Sequence, residues 1–99
     1  MAGKLTFKRE ARETGLASVG KPHPDVQIKH GGKQVGCIAA PTWQTTDNKW
    51  AVRLAIVLPS GGWEWFRCKE RHDSEVAARE WVKAHEAQIL GMKLHRFED

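Results

Sequence analysis

Ninety-nine residues, 40% of them hydrophobic, are enough for one compact domain with a single core and too few for two. The formal net charge of +4 comes entirely from residues 1–50, where eight Lys and Arg face four Asp and Glu; residues 51–99 carry eight of each. This asymmetry suits a polyanionic partner, and the lack of any apolar run long enough to cross a bilayer argues against a membrane-spanning role.

The chain reads as one domain over 1–99 whose first 24 residues form a basic, partly extended arm. Lys4, Lys8, Arg9 and Arg12 cluster there among isolated apolar residues. Leu5-Thr6-Phe7 fits a short edge strand, and Gly15 and Gly20 stop any long helix. Residues 1–16 have no apolar stretch of the kind a secretory leader needs. Gly20-Lys21-Pro22-His23-Pro24 is an extended connector, because proline holds its own φ and biases the residue before it away from helix. Residues 26–30 and 34–40 pattern as a hairpin about Gly31-Gly32, which supplies the positive φ a tight turn demands. Pro41 ends the second strand, and a polar loop containing Trp43 and Asp47-Asn48 follows.

Residues 50–58 alternate clearly. Trp50, Val52, Leu54, Ile56 and Leu58 share one face, and Ala51, Arg53, Ala55 and Val57 share the other, which is apolar enough to predict a central strand. Pro59-Ser60-Gly61-Gly62 turns the chain into a strand over 63–69. There Glu64, Phe66 and Cys68 lie on one face and Trp63, Trp65, Arg67 and Lys69 on the opposite one. A helix is predicted over 74–90, capped by Asp73 or Ser74, with Glu75 in its positively polarised first turn and Gly91 at its C-terminal cap. Ala77, Ala78, Trp81, Val82, His85 and Ile89 recur at helical spacing as a core stripe, and Glu75 and Arg79 form an i,i+4 pair outside it. Residues 92–97 fit either a short returning strand or coil. The fold class is α+β: an antiparallel meander of three to five strands packed against one long C-terminal helix.

The sequence gives no support to catalysis, a cofactor or a metal. Ser60 has no nucleophile-elbow motif or paired base, and Glu64 and Glu70 lack a partner that would tune them as acid and base. Five histidines occur, but no Cys-x-x-Cys or His-x-x-x-His pair does. Cys37 and Cys68, each inside an apolar strand pattern, read as buried free thiols, which favours a reducing, cytoplasmic setting.

What packing does not require is the basic and aromatic face of the last strand. Trp63, Trp65, Arg67 and Lys69 lie there, and in an antiparallel hairpin Arg53, together with Arg71, can join the same face. Guanidinium groups match phosphates and guanine edges, and indoles stack on bases. Two other readings stay open: the arm covers Trp63 and Trp65 through Leu5, Phe7 or Leu16, or the exposed face docks a protein.

The segment Asn48-Lys49-Trp50-Ala51-Val52-Arg53-Leu54, the aromatic strand after it, and His72-Asp73-Ser74-Glu75-Val76-Ala77-Ala78-Arg79-Glu80-Trp81 together resemble a known pattern. It is that of the AP2-like domains of plant transcription factors and the arm-binding domains of phage and mobile-element tyrosine integrases. The resemblance covers roughly residues 36–90 and implies a three-stranded sheet backed by a helix, with an open face that reads DNA. Carried over by position, it points to Arg53, Trp63, Trp65, Arg67 and Lys69 as contacts. The expectation is a small, non-enzymatic DNA-binding domain of phage or mobile-element type, with Lys4, Lys8, Arg9 and Arg12 adding a nonspecific electrostatic attraction. The alternative is a small inhibitor or adaptor that docks a host protein through its Trp-rich face or edge strand. Oligomeric state is left open.

Overall fold

The computed structural model describes residues 5–9, 24–42 and 47–97. Five strands, β1 (Leu5–Arg9), β2 (Val26–His30), β3 (Lys33–Ala39), β4 (Trp50–Val57) and β5 (Trp63–His72), pair antiparallel in chain order. Two helices, α1 (Glu75–Ala84) and α2 (Glu86–Leu90), follow and cover one face. The class is α+β, with the antiparallel meander at the upper end of the strand range that the alternation predicts.

Local chemistry accounts for the turns. Gly31 and Gly32, at φ 64° and 83°, connect β2 to β3 in the two-residue geometry whose twist matches that of the strands. Between β4 and β5, the Leu58 amide donates to Gly62 O at 2.7 Å and the Gly61 amide to Leu58 O at 2.9 Å. Gly61 at φ 93° takes the left-handed position that closes this loop. Asn48, at φ 54°, is the one non-glycine residue among those described to adopt a positive φ.

The helix-covered face of the sheet is the core. Val26, Ile28, Ile38, Val52 and Leu54 are fully buried against Ala78, Val82 and Ile89. Complete burial of each such aliphatic side chain contributes roughly 1.5–3 kcal/mol, which makes this contact the main stabilising feature. Trp81, predicted in the core stripe, is half-buried; its ring edges an open groove with Phe66 and Met92.

One expectation is revised. The single helix over 74–90 breaks at His85. Ser74 caps α1 as predicted, its hydroxyl accepting from the Ala77 amide at 3.1 Å. At the other end His85 leaves helical geometry, with φ −106° and ψ 15°, and its ring lies 4.1 Å from that of Trp81 with Nδ1 2.8 Å from the Trp81 carbonyl. A side chain competing for that carbonyl favours a chain break. Gly91 caps the C-terminus of α2 as expected, at φ −78° and so without the left-handed conformation. The short edge strand expected at Leu5-Thr6-Phe7 is present as β1. Leu5 and Phe7 of β1 face the helices, where the Leu5 amide donates to Glu86 Oε2 at 2.7 Å and Phe7 lies beneath Arg79. They therefore do not cover Trp63 and Trp65. Leu16 and Trp43 lie outside the described residues.

Candidate nucleic-acid interface

β-Pairing decides which side chains share the uncovered face. Lys8 pairs with Gln27, Gln27 with Cys37, Cys37 with Arg53, and Arg53 with Arg67, a single row across all five strands. Side chains opposite one another in an antiparallel sheet share a face, so Lys8, Arg53 and Arg67 emerge on the side the helices leave open. Ala55 and Val57, opposite Trp65 and Trp63, put both tryptophans there as well.

The densest positive charge surrounds a bulge. Arg53 and Ala51 of β4 pair with Arg67 and Arg71 of β5, so three residues of β5, Cys68, Lys69 and Glu70, lie opposite Val52 alone. Bulges re-aim side chains, and this one gathers Arg53, Arg67, Lys69 and Arg71 around a surface depression of about 340 Å³. Arg71 is held from one side by Asp47, at 3.1 Å. Among the described residues no ion pair reaches Arg53, Arg67 or Lys69, and Arg53 Nε is shielded from solvent without a hydrogen-bond partner. Like charges directly opposite each other, as Arg53 and Arg67 are, repel. An anion seated between them offsets that repulsion and accepts paired guanidinium hydrogen bonds.

The tryptophans form a second zone. Trp63 and Trp65 meet edge to face at 5.6 Å. The C-terminal segment, and not β1, partly covers them: Trp63 stacks on His95 at 5.4 Å and meets Phe97 at 4.7 Å. Even so, Trp63 keeps 40% of its surface exposed and Trp65 36%, enough for each to offer an edge to a ligand.

The other predicted contacts divide. Lys8 is exposed and on the open face, but β1 is the far edge, four strand spacings or roughly 19 Å from β5. Arg9 faces the helices and is bound to Glu75 at 2.9 Å, so it does not contribute to this surface. Lys4 and Arg12 lie outside the described residues. Arg71, in alternation with Arg67 and Lys69, joins the site as well, and so do His95 and Phe97, which the alternation did not select because their segment pairs nonlocally.

Neighbouring titratable groups are perturbed by burial. The Cys68 thiol is pushed up, by desolvation first and by Glu70 second, and stays protonated; the His72 imidazole is pushed down by desolvation against the opposing pull of Glu70 and Asp73. Cys37 and Cys68 are free thiols on strands separated by β4. Among the described residues, no three or more His, Cys, Asp and Glu side chains are grouped to hold a metal ion, and no helix is long and apolar enough to cross a membrane.

Compared with known proteins, the sequence matches no family model and no curated protein, and the fold matches no solved structure.

Proposed function

We propose that this chain is a small, non-enzymatic DNA-binding domain that works in the cytoplasm of a host cell, as part of a phage or another mobile element. The observation that carries the reading is the group of Arg53, Arg67, Lys69 and Arg71 around one depression on the face the helices leave bare. Three of these four cations have no acidic partner among the described residues. Guanidinium groups at that spacing bind phosphate oxygens or guanine edges, and the exposed edges of Trp63 and Trp65 add stacking or apolar contact. β3, β4 and β5 backed by α1 form the arrangement that the resemblance to AP2-like domains implies, which supports the same face as the contact surface.

A fluorescence titration with short duplex and single-stranded DNA at low salt tests this. With about four phosphates neutralised, log K falls against log salt with a slope of about −3 to −4. No binding at micromolar protein, or binding indifferent to salt, sinks the proposal.

A further inference from the structure

Among the described residues, the outer edge of β5 carries no partner. β5 is the longest strand, ten residues, and hydrogen-bonds to β4 on one side. Ile56 and Leu54 pair with Glu64 and Phe66 across the ladder. Because β4 uses Ala55 and Val57 to bond the C-terminal segment on its other side, the backbone groups of Trp63, Trp65 and Arg67 point outward from the sheet. Such an edge is a template for another strand, and native sheets usually blunt or cover it. Here three of the four large hydrophobic side chains exposed among the described residues, Trp63, Trp65 and Phe66, fall within four positions of this strand.

The order of side chains on β5 selects the occupant. On the open face the two tryptophans come first and the two cations, Arg67 and Lys69, follow, with Phe66 at the midpoint on the other face. We infer that β5 pairs antiparallel with β5 of a second copy of this chain, about a two-fold axis through Phe66. That register sets Trp65 opposite Arg67 and Trp63 opposite Lys69 of the second copy, in both directions, so that each indole meets a cation across the ladder. Phe66 meets its own equivalent as a non-hydrogen-bonded pair, the closer kind, with Cα atoms about 4.5 Å apart. Phe66 is 45% exposed in the monomer and edges an open groove of about 200 Å³ with Trp81 and Met92, so its partner ring has apolar surface to cover. Glu64 falls opposite Cys68, and no like charges stand face to face. Shifting the axis by one residue, to Arg67, puts Arg67 against Arg67 and Glu64 against Glu70, and shifting it to Trp65 leaves Trp65 against itself and Lys69 against Gly61; of these three registers only the one through Phe66 pairs both indoles with cations and sets no like charges opposite. The two-fold axis is perpendicular to the sheet, which turns both basic faces the same way and both helix pairs the other way.

Sedimentation velocity on nuclease-treated protein at high salt, from micromolar to millimolar concentration, tests the pairing. The expected result is a reversible monomer–dimer equilibrium that Phe66→Asp abolishes, with unchanged circular dichroism. Val76→Asp, at an exposed site on α1, leaves the dimer intact. Phe66→Cys in a Cys68→Ser background cross-links to a covalent dimer on oxidation, whereas Trp65→Cys in the same background does not. A monomer at every concentration overturns the inference, as does a dimer that survives Phe66→Asp or one that cross-links through position 65 and not 66.

Discussion

A Cβ at Gly36 would collide with the carbonyl oxygen of Arg53 and press on the Leu54 side chain. Gly36 is therefore where β3 and β4 close upon each other, directly beneath the row that carries Arg53. Gly36→Ala is expected to destabilise the fold by about 1–3 kcal/mol, because the neighbour is backbone and cannot step aside. Gly62→Ala, with only Ser60 Oγ nearby at 3.8 Å, is expected to change stability by no more than about 0.5 kcal/mol. Urea denaturation of the two variants checks the contrast. Nothing in the local sequence separates these glycines, since both simply neighbour an alternating run; the collision exists only once β4 is in register. Arg53 shows the opposite case. Alternation alone gave its face, whereas the shielding of its Nε atom exists only in the folded chain.

At the scale of elements, the C-terminal segment changes the picture most. β3 pairs with β4 only as far as Gly36 opposite Leu54, and residues 93–97 take its place beside the last residues of β4. Their backbone bonds to Ala55, Val57 and Gln34 at 2.8–3.1 Å seat His95 and Phe97 on Trp63. Truncation after Met92 removes four backbone hydrogen bonds and is expected to cost about 2–4 kcal/mol once the entropy released is subtracted. The tryptophan emission should shift to the red in the truncated protein, and an unshifted spectrum would show that the segment does not cover Trp63. A second expectation concerns the β5–α1 junction. His72 has a folded pKa below its ordinary value of 6.5 because burial disfavours the imidazolium. The unfolded chain then binds more protons between the two values. Stability from this residue is complete above the ordinary value and declines as pH falls through it, levelling out below the folded value. Denaturation midpoints measured from about pH 8 to pH 5 should fall less steeply in His72→Gln than in the wild type.

For the whole molecule, the balance between a modest net charge and a concentrated patch decides how binding behaves. A charge of +4 produces weak long-range attraction, so affinity depends on the few cations gathered by the bulge. Arg67→Ala should leave thermal stability within about 0.5 kcal/mol of wild type, since the side chain is exposed and without an ion pair among the described residues. It should nonetheless weaken DNA binding and reduce the salt slope by about 0.9, the loss of one phosphate contact. Titrations of wild type and variant at several salt concentrations measure both effects. An equal loss of binding with an unchanged slope would mean that Arg67 acts through the fold and not through phosphate.

The sequence by itself determined the antiparallel strands, the start of the helix at Ser74, and the division of β4 and β5 into two faces. Each of these rests on local physics: the two-residue period of a strand, the side-chain cap of a helix, and glycines where the backbone needs a positive φ. Only the tertiary structure decided that β1 lies under the helices with Arg9 spent on Glu75, that residues 93–97 and not β1 lie against the tryptophans, and that a bulge gathers Arg53, Arg67, Lys69 and Arg71 around one depression. Those outcomes depend on contacts between segments far apart in the chain. Several segments in this sequence are apolar enough to cover the same surface, and the choice among them follows from which edge is left unpaired once the sheet has formed.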